Sequence, residues 1–123
     1  MKEYLYVFFG GGVGSVLRFL ISRYANPLFQ LPLGTLFCNS FASLLVGIFT
    51  VVVARRLQWS EDIFHIFVIG FCGGLSTFSS FSGETIRLFD HNMPLSAILN
   101  VCLNVVICMG SVWVGQKIAH HYV

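Results

Sequence analysis

The sequence predicts an all-α membrane protein with four transmembrane helices, and three observations carry that expectation. Of 123 residues, 56% are apolar and only 10% charged, and the mean hydropathy is +0.82. Soluble domains run near a quarter charged, so so few ionic side chains cannot clothe a water-facing globule of this size. Four apolar windows, about Tyr4–Tyr24, Leu33–Ala54, Ile63–Arg87 and Pro94–Ile118, each offer the roughly 20 residues a helix needs to cross ~30 Å of hydrocarbon. The joins between them are short and punctuated, by Asn26-Pro27 and Pro32, by Arg55-Arg56 and Ser60-Glu61-Asp62, and by Asp90-His91-Asn92 and Pro94. None can hold a second domain, so residues 1–123 read as one four-helix unit. The first window has no small-residue cleavage site behind a short apolar core and does not read as a signal peptide.

The same composition excludes other classes. Seven Lys/Arg against five Asp/Glu leave a net charge of +2, too little for a nucleic-acid binder, and the apolar excess argues against a cytosolic enzyme. Cys38, Cys72, Cys102 and Cys108 all fall in apolar runs without CxxC or zinc-type spacing, and read as packing thiols. With four spans, Lys2, Arg55, Arg56 and Lys117 share one side. Arg23 and Arg87 lie on the other, with Arg18 leaning the same way. Four against three is almost no positive-inside bias.

Within hydrocarbon a polar residue costs enough to be a functional candidate by default, so the breaks in each apolar run carry the information. The first window holds Gly10-Gly11-Gly12-Val13-Gly14 and then Arg18. Gly10 and Gly14 suit close helix approach; Arg18 can snorkel to the interface or face a polar path. In the second window Thr35, Asn39 and Ser43 are spaced i, i+4, i+8 and share a face. Asn39 fits an interhelical hydrogen bond and a polar path equally well.

The third window is unusual, because ten of the sixteen residues from Gly70 to Thr85 are Gly, Ser or Thr. The helix is expected to break near Gly73-Gly74. Lipid tolerates such a break only where protein or water receives the freed backbone groups. Freed carbonyls suit a cation, and the N-terminus of the following half-helix suits an anion. Phe78 and Phe81 lie i, i+3 on one face, with Ser79 and Ser82 expected alongside as a hydroxyl stripe. Ring edges are electropositive, so rings and hydroxyls together could line the route of a small dehydrated anion. Farther along, Glu84 and Arg87 are spaced for an i, i+3 ion pair. The fourth window carries Asn100, Asn104 and Ser111 on one face, with Cys108 and Gly110 nearby. Three helices with one polar face each, in a chain too small to enclose a pore, suggest an oligomer with its path at or beside the interface.

These residues resemble the Fluc (CrcB-type) fluoride channel family through the whole chain. Gly10 to Arg18 is similar to its first-helix glycine-to-arginine stretch, and Gly34-Thr35-Leu36-Phe37-Cys38-Asn39 to its GTLxxN. Gly70 to Ser82 is similar to its GxCGGxTTFSTFS block, the most specific of the three. Ser76 and Ser80 stand where threonine is more usual, which keeps the hydroxyl, and Cys38 stands where an aliphatic residue is common.

The resemblance implies a dual-topology antiparallel homodimer in the lipid bilayer, with two pathways for the fluoride ion. It implies passive fluoride efflux across a bacterial inner membrane, relieving fluoride toxicity. Phe78 and Phe81 would line the path, and Asn39, Thr35, Ser79, Ser80 and Ser82 would supply donors, with Arg18 along the route. Asn100, Asn104, Ser111 and Glu84 form a second tier. Main-chain carbonyls of Gly73 and Ser76 would hold a central structural sodium ion together with those of the second copy.

Two rival classes fit less well. A small multidrug-type proton-coupled transporter needs an embedded carboxylate in its first helix, where only Glu3 stands, at the extreme end. A haem-binding membrane anchor needs histidines at facing depths, whereas His65 opens a span, His91 is in a join, and His120-His121 close the chain.

Overall fold

The computed structural model describes residues 1–28, 30–55 and 61–122, and Arg56 and Ser60 of the second join lie outside the described residues. Helix α1 (Lys2–Ala25) ends in one turn of 3-10 helix over Asn26–Leu28, and α2 (Leu33–Arg55) follows. The third span begins as α3 (Glu61–Ile63), continues as a π-helical stretch (Phe64–Cys72) and closes its first half as α4 (Gly73–Leu75). After two extended residues it resumes as α5 (Phe78–Asp90), and α6 (Pro94–Tyr122) completes the bundle. Among the described residues there is no strand, and the spans Lys2–Ala25, Leu33–Arg55, Glu61–Asp90 and Pro94–Tyr122 are each long and apolar enough to cross a membrane. The chain is an all-helical, multi-pass membrane protein.

The interruption expected near Gly73-Gly74 falls just beyond that pair, at Ser76 (φ −78°, ψ 150°) and Thr77 (φ −153°, ψ 120°). Gly73 itself keeps helical angles. The chain opens where another helix supplies partners: the Thr77 N–H donates to Asn39 Oδ1 at 2.8 Å, and Asn39 Nδ2 donates to the Thr77 carbonyl at 3.4 Å. Thr77 then caps α5, its hydroxyl oxygen accepting from the Ser80 N–H at 3.2 Å. At its far end α5 closes with a Schellman turn. Asn92 adopts φ 58°, Met93 N–H bonds the Leu88 carbonyl at 2.9 Å, and Asn92 N–H bonds that of Phe89 at 3.0 Å. Pro94 then opens α6 at a position where its missing N–H costs nothing.

Two tight crossings hold the bundle. Gly14 of α1 lies against the third span, where a Cβ would overlap the Phe71 carbonyl and sit 2.8 Å from the Leu75 nitrogen. Gly47 of α2 meets α6, where a Cβ would overlap the Val112 carbonyl. Both are small-residue contacts of the kind that lets helix backbones touch in lipid. The π-helical stretch lies where α1 comes closest, with Gly10 against the Ile66 carbonyl.

Packed at the centre are Cys38, Ala42, Cys72 and Leu75, flanked by Ile21, Leu45, Val46 and Phe71. Cys38 and Cys72 are thus the packing thiols expected, whereas Cys102 points outward. Large apolar side chains such as Phe8, Val16, Val106 and Trp113 face out, while Thr35, Thr85, Asn100 and Asn104 are buried. Near the ends, the Arg23 guanidinium lies 5.8 Å from the Phe19 ring centre, and the Lys117 ammonium 5.6 Å from that of Trp113. Four alternating spans put these two pairs at opposite faces of the membrane.

Candidate functional site

Helix α5 separates two grooves, because successive residues turn by about 100° and its polar side chains cannot share one face. Phe78, Phe81, Ser82 and Thr85 fall on one stripe, Ser80, Glu84 and Arg87 on another. Ser79, Gly83 and Ile86 lie on the exposed side.

The first groove is lined by Asn39, Ser43, Ser76, Thr77, Phe78, Phe81 and Asn104. The Phe78 and Phe81 ring centres are 5.5 Å apart with planes at 51°, so the rings are tilted rather than stacked. Phe78 is 80% exposed, so nothing in its own chain explains the ring as packing. Asn39 is tied on every side: its oxygen accepts the Thr77 N–H, and its amide donates to Thr77 O and, at 3.1 Å, to Asn104 Oδ1. Asn104 donates in turn to Asn100.

The expected hydroxyl stripe divides. The Ser82 hydroxyl stays beside the rings and donates to the Phe78 carbonyl at 2.9 Å. Ser79 turns outward, 3.2 Å from the Thr77 hydroxyl, and Ser80 faces the other groove. Ser111 does not line the first groove, although Cys108 does.

Arg18, Ser22, Arg23, Asn26, Ser80, Glu84 and Arg87 line the second groove. Arg18 neither snorkels nor stands free, since its Nε donates to the Gly74 carbonyl at 3.1 Å, joined there by the Ser15 hydroxyl at 3.4 Å. The expected Glu84–Arg87 pair does not form. Glu84 Oε1 instead accepts from Thr35 Oγ1 at 2.7 Å and from Asn26 Nδ2 at 2.9 Å, and its buried Oε2 has no hydrogen-bond partner. Thr35 is fully buried behind this contact. Asn26 also reaches the start of α2, where its Oδ1 accepts the Gly34 N–H at 2.8 Å.

Sequence reasoning therefore passed over Asn26, Thr77 and Thr85. Asn26 was legible only as punctuation ahead of a proline, and its carboxylate partner lies 58 residues on. As for a metal, no cluster of His, Cys, Asp or Glu suited to one occurs among the described residues. The N–H groups that would close helix on the Gly73 and Ser76 carbonyls are those of Thr77 and Ser80, and both donate to side chains instead. Both carbonyls are thereby released from helical pairing at the break.

A four-span bundle whose third helix opens mid-membrane, with rings, hydroxyls and amides along one groove and arginines along another, defines a membrane protein built to pass a small polar solute. The arrangement offers hydrogen-bond donors and ring edges along a path. The chain belongs to the family described as CrcB-like protein, Camphor Resistance (CrcB), which matches it over residues 5–116. Several relatives bear the name fluoride-specific ion channel FluC. One from Coxiella burnetii (strain Dugway 5J108-111) is 40% identical over 117 residues, covering 93% of this chain and 94% of its own. Another, from Methanococcus maripaludis, is 37% identical over 117 residues and 94% of each chain. A third, from Shewanella woodyi, is 37% identical over 120 residues and 96% of each.

Proposed function

We propose that this chain forms a fluoride-selective channel giving passive fluoride efflux across a bacterial inner membrane, which relieves fluoride toxicity. The observation that carries the reading is the first groove, where the Phe78 and Phe81 rings flank the helix break beside Asn39, Thr77 and Asn104. A small anion holds its water tightly and crosses only if donors replace that water at each step. Positive ring edges, hydroxyls that can rotate outward and the N-terminal end of α5 are such donors. On this reading Asn39, Phe78, Phe81 and Ser82 serve the first groove, while Arg18, Ser80 and Glu84, with Thr35 behind it, serve the approach along the second.

The working unit is proposed to be an antiparallel pair of copies in the bilayer. Unpaired carbonyls cannot face lipid without severe cost, so the break needs protein against it. Gly73 is exposed, and beyond its chain neighbours and own helix backbone no atom lies near where a Cβ would be, which leaves room for a second copy there. A structural sodium ion fits the same place. Its preferred ligands are oxygens, and the Gly73 and Ser76 carbonyls released from helical pairing would hold it with their mates. When bound, the ion supplies positive charge that neutralises carbonyl dipoles brought together at the interface.

Efflux from liposomes containing only this chain tests the reading. Fluoride should leave quickly while chloride is retained, and Phe78→Ile or Phe81→Ile should remove most of the fluoride flux with assembly intact. Equal chloride flux, or normal flux in both variants, would overturn it.

A further inference from the structure

Behind the first groove runs a chain of hydrogen bonds that begins and ends on the same half-helix. The Thr77 N–H donates to Asn39 Oδ1 at 2.8 Å, and Asn39 Nδ2 to Asn104 Oδ1 at 3.1 Å. Asn104 Nδ2 donates to Asn100 Oδ1 at 3.0 Å and to the Asn100 carbonyl at 2.9 Å. Asn100 Nδ2 donates to Thr85 Oγ1 at 2.8 Å, and the Thr85 hydroxyl to the Phe81 carbonyl at 2.8 Å. Thr85, Asn100 and Asn104 are 7%, 3% and 6% exposed, so water does not compete for the bonds among these three.

The chain has one sense. A backbone N–H can only donate and a backbone carbonyl can only accept, so Thr77 fixes one end and Phe81 the other. The Thr85 hydrogen is spent on Phe81, which leaves its oxygen to receive Asn100. Asn100 must then turn its own oxygen to Asn104, and Asn104 its oxygen to Asn39. Thr85 and Asn100 line neither groove.

We propose that Thr85 and Asn100 are positioning residues of the pathway: acting through Asn104, they lock the direction of the Asn39 amide and so hold the Ser76-Thr77 break and the Phe78 and Phe81 rings in register. This inference rests on the channel reading above. It gives Asn100 a different role from that of a path-lining donor, and it enlists a threonine that no groove displays.

Thr85→Val keeps the shape and removes the acceptor for Asn100. Asn100 then either keeps a buried donor unpaired or flips its amide, which sets two NH2 groups against each other and passes the conflict to Asn39. Thr85→Ser keeps the hydroxyl and loses only a methyl group. A packing role ranks the two variants the other way, since valine fills the space and serine leaves a gap. Two quantities are measured on the full chain: fluoride efflux from liposomes, and hydrogen exchange at the Thr77 amide by NMR in lipid nanodiscs.

Thr85→Val is expected to lose about tenfold in flux and to speed Thr77 exchange by a similar factor, the consequence of one unsatisfied buried donor. Thr85→Ser should stay within about twofold of the parent in both. Parent-like flux in Thr85→Val, unchanged Thr77 exchange, or Thr85→Ser no better than Thr85→Val would each overturn the positioning role. A parent chain that passes no fluoride overturns the channel reading instead, and Thr77 exchange then still decides whether the hydrogen-bond chain sets the break.

Discussion

A single amide, that of Asn26, does two jobs with its two ends. Its oxygen caps the start of α2 on the Gly34 N–H, and its nitrogen donates to Glu84. Asn26→Asp keeps the first bond and sets two carboxyl groups against each other in place of the second. The melting temperature in detergent should fall, by the equivalent of about 1–3 kcal/mol for a lost buried hydrogen bond. Adding Glu84→Gln returns a donor from the opposite side and should recover most of the loss. If the double variant melts no higher than Asn26→Asp alone, Asn26 serves only as the α2 cap. Residue-level legibility follows from sequence distance. Phe78 with Phe81, and Asn100 with Asn104, announce themselves because helical spacing puts each pair on one face. Asn26 with Glu84 and Thr77 with Asn39 meet across 58 and 38 residues, and no local pattern encodes such meetings.

Two glycines at the third span, Gly14 from α1 and Gly73 of the span itself, differ in what surrounds them. A methyl group on Gly14 has nowhere to go between the Phe71 carbonyl and the Leu75 nitrogen, both backbone atoms that cannot yield. One on Gly73 meets nothing within 4 Å beyond its chain neighbours and its own helix backbone. Gly14→Ala should therefore destabilise the subunit by about 1–3 kcal/mol or more, as overpacking does. Gly73→Ala should leave the subunit fold intact and weaken pairing of copies, read by crosslinking in membranes. Unimpaired pairing would remove Gly73 from the contact between copies. At this scale the four spans were legible because each needs only its own run of apolar residues. The placement of the break was not. Glycine content marked Gly73-Gly74 as the weak point, but a helix opens where another element accepts its backbone groups, and Asn39 does so at Thr77. The π-helical stretch from Phe64 to Cys72 was equally hidden, since its residues differ in no obvious way from those of an ordinary apolar helix.

For the molecule as a whole, the antiparallel reading turns on how evenly its basic residues are divided. Two lysines added near the amino terminus change the balance by more than the existing difference, and should drive most copies into one orientation. That variant should be inactive alone. A second variant, with Arg55 and Arg56 neutralised and lysines added near residue 91, should insert the other way and also be inactive alone. Co-expression should restore fluoride efflux, whereas full activity from either one by itself would point to parallel assembly. The two ends of the bundle carry matching anchors, a cation over an aromatic ring at Arg23 with Phe19 and again at Lys117 with Trp113. These two anchors by themselves do not tell a bilayer top from bottom. On the antiparallel reading, the yield of paired channels would be limited by whichever orientation is scarcer, and every copy in excess would be synthesised to no purpose. Loop charges that never meet an ion would thereby come under selection, and a drift of one lysine between the two faces would lower output while leaving the route itself untouched.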